Sequence, residues 1–248
     1  MSGKSKTEST VQDKERKIRD ELKELSLKFI EQVKQKVNLA RFDRDEWFKG
    51  CYSTIQRTIR GGLAERKKER LKNLLFDSID SLRQTRTCKA GYDEWFENLV
   101  SSIRTNINLT FGQAQKIVNI LMKYHFCYYW ADFDRKWNNS YCWLFPFFEF
   151  FHVPIDNVVL FNLKRKYGGE DEKINRNIKV WEYKNIKNAV FCLTRDTQRR
   201  QVRWSRMGGK QEIMFYYYIQ DFIDRMISKS GKYANRLHFE MKELWTAN

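Results

Sequence analysis

Between Lys14 and Leu39 the apolar residues fall at Ile18, Leu22, Leu25, Phe29, Val33 and Val37, in steps of three and four. That spacing follows the 3.6-residue turn of an α-helix. It sets six side chains on one stripe and leaves Lys and Glu to cover the other face. The same period continues downstream. Asp43 opens a second helical segment through Trp47, Phe48, Ile55 and Ile59 to a stop at Gly61-Gly62. A third follows, with Leu63, Leu71, Leu74, Leu75, Ile79 and Leu82 facing inward. Beyond Thr110, FGQAQKIVNILMKYHF reads as another helix, apolar at Ala114, Ile117, Val118, Leu121 and Met122. Further helical segments are expected near 185–199, 211–229 and 234–245, interrupted by Met207-Gly208-Gly209. Period-two alternation is scarce, and its best stretch, Asn177 to Tyr183, is short.

These patterns predict an all-α, multi-helix globular protein with two helical subdomains flanking a groove. Residues 1–13 read as a flexible basic arm and 14–109 as a helical N-terminal region. Residues 110–248 read as a helical region with an aromatic segment and a basic cluster. An internal echo lies within residues 14–109. Asp45-Glu46-Trp47-Phe48 recurs as Asp93-Glu94-Trp95-Phe96, and Ile55 and Ile59 recur as Ile103 and Ile107, all at an offset of 48. Each copy reads as a helix start, with acids at the positive end of the dipole and an aromatic pair entering the core. Two copies fit an old duplication and a reused helix start equally well.

Composition narrows the function classes. Across 248 residues the net charge is +16, with 18 Phe, 12 Tyr and 8 Trp. A disordered polycation lacks such aromatics, and collagen-like or linker-rich chains need far more Gly and Pro than 11 and 2. The start of the chain has no apolar core of a secretory signal. The most apolar stretch, Trp143 to Phe151, is nine residues long, where a membrane span needs roughly 20. The five cysteines form no CxxC pair, which argues against zinc, cluster ligation and a disulfide framework. The expected setting is the cytoplasm, or a nucleus, without secretion or membrane anchorage, and no cofactor or metal is implied.

Charge and aromatics occupy different places. Arg195 to Lys210 holds Arg195, Arg199, Arg200, Arg203, Arg206 and Lys210 against Asp196, a net of +5 in 16 residues, with Trp204 among the arginines. Guanidinium groups fork onto phosphate oxygens and an indole stacks on an unpaired base. A solvated charged surface is the ordinary alternative, but a whole-chain charge of +16 points to nucleic acid as the partner, with DNA favoured. The segment 124–151 carries 14 Phe, Tyr or Trp in 28 residues. Its polar middle, Asp132 to Ser140, reads as a loop, and its aromatics as core, partner interface or base-stacking platform.

One pattern suggests chemistry. Phe111-Gly112-Gln113-Ala114-Gln115-Lys116-Ile117-Val118-Asn119 is followed, 40 residues after Lys116, by Asp156 within Val153-Pro154-Ile155-Asp156-Asn157-Val158-Val159. A lysine early in one helix and an aspartate at the start of another can meet across a groove. Over about residues 110–163 this resembles the helix-hairpin-helix DNA glycosylases. There a hairpin leads into a helix bearing Lys, then Ala-Asn, and an apolar-Asp segment opens the next helix. Lys116, Asn119 and Asp156 stand on those positions, Val118 stands where Ala is usual, and Asn108-Leu109-Thr110 replaces the Pro-Gly hairpin. The resemblance implies a bifunctional glycosylase. Lys116 would attack the sugar C1′ of a flipped nucleotide to form a Schiff base, and Asp156 would stabilise positive charge on the sugar. The aromatic segment would line the pocket, and Gly112, Gln113 and Gln115 would meet the backbone phosphate at the helix start.

Other assignments fit the same residues. Gly-x-Ala at a helix start is commonly a packing contact, a helical lysine is commonly solvated, and Asp156 after Pro154 suits an N-cap. His125, His152 and His238 lack ligand spacing and read as core or pocket groups, with His152 near the candidate site. Glu149, among four phenylalanines, reads as turned to solvent. A non-catalytic basic nucleic-acid-binding protein, or a phage or defence interaction protein, stands as the alternative function.

Overall fold

In the structure, a computed structural model, residues 4–34, 43–59, 61–131, 141–167 and 208–245 are described. Eight α-helices account for most of them, and no strand occurs among the described residues. They are α1 (Lys4–Lys34), α2 (Arg44–Gln56), α3 (Glu65–Leu82), α4 (Lys89–Ile107), α5 (Phe111–Ala131), α6 (Asn157–Tyr167), α7 (Lys210–Ser230) and α8 (Arg236–Phe239). A 3₁₀ helix, Cys142–Phe150, precedes α6, and a π-helical turn, Glu240–Leu244, follows α8. The all-α expectation holds. None of the described helices is long and apolar enough to cross a membrane. The expected helix at 185–199 and the alternating stretch 177–183 lie outside the described residues.

Helix α5 is the centre. Seventeen of its 21 residues are buried, and α1, α2 and α4 pack around it. A helix apolar on nearly every side can only be an interior one. On α1 the expected stripe is the buried edge: Leu22 and Phe29 are enclosed, and Ile18, Leu25 and Val33 flank them. The core runs as one cluster from Leu22 to Leu244, drawing on residues from both sides of position 109. The two expected subdomains therefore share one interior, because α5, the first helix of the second region, packs against α1, α2 and α4 of the first.

Two local expectations are corrected. The arm at 1–13 is helical from Lys4 onward, so α1 starts well before Ile18, the first residue of the apolar stripe. The stripe marks where the helix touches the core, not where its backbone turns begin. The echo is a helix start only once. Asp43 caps α2, its Oδ1 accepting from the Asp45 amide, and Trp47 and Phe48 enter the core from there. Helix α4 instead begins four residues before Asp93, with the Cys88 sulfur accepting from the Gly91 amide. Trp95 and Phe96 thus lie in its second turn.

The α3–α4 turn is tight. Cys88 N–H donates to Arg86 O at 2.8 Å, drawing that carbonyl onto the first turn of α4. A Cβ on Gly91 would overlap the Arg86 carbonyl oxygen, a backbone atom with no freedom to swing aside. Between α4 and α5, Asn108 takes the left-handed conformation (φ 67°) and returns its N–H to Arg104 O. Asn tolerates that region better than other residues with a side chain. Gly91→Ala is expected to lower the unfolding free energy by about 1–3 kcal/mol, the usual cost of overpacking, measured by urea denaturation against a Ser102→Ala control.

Candidate functional site

The segment Phe151–Asp156, between the 3₁₀ helix and α6, forms no helix, yet Phe151 through Ile155 are buried. Interior backbone outside a ladder needs other partners, and two glutamines supply them. Gln220 of α7 accepts from Val153 N–H and donates to Val153 O, both at 2.9 Å. Gln115 of α5 accepts from Ile155 N–H at 3.2 Å and donates to Ile155 O at 2.7 Å. Each side-chain amide imitates a neighbouring strand. Pro154 lies between the two bonded residues and has no N–H to satisfy.

This clamp places Asp156 beside α5. Its Oδ1 accepts from the amides of Val158 and Val159 at 2.9 and 3.0 Å, capping α6. Its Oδ2 accepts from Lys116 Nζ at 2.9 Å. The two side chains are 22% and 13% exposed, so the pair sits at the rim of the core with an edge to solvent. The two residues singled out from a 40-residue spacing are therefore in contact. The capping role of Asp156 and the pairing with Lys116 are both realised, one on each carboxylate oxygen.

The neighbours expected to meet phosphate are turned inward. Gly112 is buried, and Gln113 and Gln115 are 7% and 0% exposed. Gln113 and Thr110 form a reciprocal cap: Thr110 N–H donates to Gln113 Oε1 and Gln113 N–H donates to Thr110 Oγ1, at 3.0 and 3.2 Å. The Gln113 amide also reaches Thr58 of the turn after α2. Gln113 and Gln115 thus hold the protein's own backbone. The T-x-x-Q spacing of a capping box was the signal available in the sequence. Asn119 is also buried; its amide donates to Gln115 Oε1 and to the Tyr216 hydroxyl at 2.8 Å.

Behind the clamp runs a buried polar relay. Tyr216 O–H lies 3.0 Å from His152 Nδ1, and His152 Nε2 lies 2.8 Å from Asp93 Oδ1. With Asn119 donating to the tyrosine oxygen, the consistent assignment has Tyr216 donating to Nδ1 and Nε2–H donating to Asp93. Burial pulls His152 down to about 4, against the opposing pull of Asp93. Desolvation would raise Asp93, but its bonds to His152 and Lys89 outweigh that and hold it at about 2. His125, enclosed with the rings of Trp47 and Tyr141 against it, is pulled by burial to about 3. All three histidines are buried, and Glu149 is exposed. Among the described residues no group of three or more His, Cys, Asp or Glu could hold a metal ion.

Sequence reasoning missed a cationic pole. Lys67 of α3 donates to Ile107 O, Arg70 to Asn106 Oδ1 and Arg104 to Gly208 O. These bonds gather the N-terminal half of α3, the end of α4, the start of α5 and the start of α7 at one end of the molecule. Arg57, Arg66, Lys67, Arg70 and Lys210 are exposed there. Glu65 and Glu69 are paired with Lys68 and Lys72. The run Arg66-Lys67-Lys68 with Arg70 and Lys72 was visible in the chain, but as one helix face among several. Of the expected basic cluster, Arg195, Arg199, Arg200, Arg203, Trp204 and Arg206 lie outside the described residues. The chain re-enters at Gly208, against Arg104. Comparisons of the chain with protein-family models, with curated proteins and with solved structures return no match.

Two outcomes test this description. Gln115→Ala should cost about 2–5 kcal/mol of stability, because it strands both polar groups of Ile155 in the interior; urea denaturation reads it. The pH dependence follows from the histidines. In the unfolded chain a histidine takes up its proton near 6.5, while folded His152 and His125 resist protonation until about 4 and 3. The unfolded state thus binds more protons, and stability should fall as pH drops from 6.5 toward 4. Asp93 adds a further loss between its ordinary range near 3.8 and about 2. Denaturation midpoints at pH 7, 5.5 and 4.5 should decline in that order, and His125→Phe should flatten the decline.

Proposed function

We propose that this protein binds nucleic acid, DNA in the first instance, through phosphate contacts at the cationic pole. The observation that carries the proposal is the convergence of exposed Arg57, Arg66, Lys67, Arg70 and Lys210 on one end of a chain with net charge +16. A guanidinium carries five donors, so a single bond from Arg70 to Asn106 leaves donors for phosphate oxygens. The helices α5, α6 and α7 begin at or near this end, and helix starts carry partial positive charge. The described chain resumes at Gly208, whose carbonyl accepts from Arg104.

A second reading, base excision by the glycosylase–lyase route, draws on the 2.9 Å contact of Lys116 with Asp156. In it Lys116 attacks the sugar C1′ and Asp156 steadies the charge that develops there. For that the ammonium has to leave Oδ2 and lose a proton, and Asp156 has to act while it caps α6. Binding requires no such rearrangement and is therefore adopted as the primary function.

The expected result is duplex binding whose logarithmic affinity falls steeply with the logarithm of salt concentration, by roughly 0.9 for each phosphate engaged. Arg57→Ala, Arg66→Ala and Arg70→Ala together should lower that slope by about 2–3 without changing the far-ultraviolet circular dichroism. Salt-independent binding, or none, would overturn the proposal. The excision reading has its own assay: borohydride should trap a covalent adduct on abasic or damaged duplex that is lost in Lys116→Gln. An untrapped wild-type protein that still binds leaves only the first reading.

A further inference from the structure

Helices α3 and α4 part along their outer face to leave a groove of about 650 Å³. Short side chains open it, among them Ser78 on α3 and Ser102 on α4, where larger ones would close the seam. Its floor is apolar. Leu99 and Trp95 are buried at 4% and 6%, and the indole N–H donates to Ser78 O at 2.7 Å, which fixes the ring. Its rim carries the exposed carboxylates of Asp77 and Glu94 and, at the α3–α4 turn, the exposed guanidinium of Arg86. Neither carboxylate has an ion-pair partner among the described residues. Two carboxylates over an indole and a leucine are out of keeping with a chain of net charge +16.

The groove also adjoins the cationic pole. Arg70 lies one turn before the groove residue Leu74, and its partner Asn106 donates to the carbonyl and hydroxyl of Ser102. A strand whose phosphates rest on the pole passes the mouth of the groove. The two carboxylates outnumber Arg86 at the rim and repel phosphate, so the backbone itself does not enter. The group that suits the space is flat and uncharged, has an apolar face for the floor, and carries N–H donors for Asp77 and Glu94.

We infer that the groove is a subsite for an unpaired nucleobase of the bound strand, and that it selects bases bearing an exocyclic amino group. This rests on the phosphate-binding reading and adds a substrate class to it: single-stranded or locally opened nucleic acid. Cytosine, adenine and guanine present amino donors on their edges and thymine does not. The floor gives a base the apolar contact that sequence-tolerant single-strand binders use. Paired bases keep those donors engaged and their faces stacked, so a closed duplex fills only the pole.

Fluorescence anisotropy on labelled 12-nucleotide strands tests the inference, with the full-length protein at one salt concentration. Wild type should bind oligo-dC at least about tenfold tighter than oligo-dT or an abasic strand of equal phosphate count, the factor of one well-held base. Ser78→Leu with Asn98→Leu should fill the groove and erase that preference while duplex affinity stays unchanged, which also reports correct folding. Glu94→Ala, at an exposed position, should reduce the preference by itself. Equal binding of all strands by wild type, or a preference that survives in the filled groove, overturns the subsite and leaves phosphate binding intact. A lysine-rich peptide that binds wild type and not Glu94→Ala overturns it too, since the groove then serves cations. If no strand and no duplex binds, the phosphate-binding reading fails and the subsite fails with it.

Discussion

A backbone that crosses the interior of a helical protein has no ladder to satisfy it, and Phe151–Asp156 is such a segment. Each unsatisfied buried amide or carbonyl costs about 1–3 kcal/mol, so the crossing is tolerable only where side chains replace the missing strands. Gln115 and Gln220 do so, one from each neighbouring helix, on alternate residues of the segment. In doing so they tie α5 to α7 and bring the start of α6 onto α5. The position of Asp156 against Lys116 follows from this clamp. So does the register of α7, since Tyr216, one turn before Gln220, is aimed at His152 and Asn119.

The interior holds more charge than its aromatic wealth suggests. Lys123 and Glu240 are 1% and 2% exposed and bonded to each other, with the rings of Phe29 and Trp245 over the ammonium. Arg236, 2% exposed, holds Asp224 through two nitrogens and Phe150 O through a third. Burying a charge is costly unless it is paired and hydrogen-bonded, and here each pair joins the C-terminal turns to the body of the fold. Charge complementarity inside thus fixes a unique docking for α8 and the π-helical turn. Exposed pairs such as Lys28–Glu24 contribute little by comparison.

Outside, the charge is segregated. Cations collect where α3 begins and α4 ends, and the groove further along the same two helices carries two carboxylates to one guanidinium. The aromatic residues, by contrast, are mostly inside. Tyr124, Phe126, Tyr128, Phe147, Phe148 and Phe151 all belong to the core, while Phe145 is exposed. The wealth of rings along 124–151 is chiefly the filling around the C-terminal half of α5.

The linear chain determined what depends on neighbours three and four residues apart: the helical class, the inward edges of α1 to α5, the caps at Asp43 and Asp156, and the excess of positive charge. These are local properties, set by the helical turn and by side chains close in sequence. The chain did not determine what Gln113, Gln115 and Asn119 are for. Polar residues at the start of a basic protein's helix suit a phosphate as well as they suit a buried backbone. Only the arrival of Phe151–Asp156 and of Thr58 beside them decides between the two. Nor did it reveal that Asp93, the counterpart of Asp45 in the first turn of α2, lies a turn inside α4. His152, 59 residues away, claims its carboxylate, and the helix start has moved back to Cys88. The Lys116–Asp156 contact was legible as a spacing. That one oxygen would hold the lysine and the other the helix was settled in three dimensions, because the direction of a carboxylate is set by the chain that carries it.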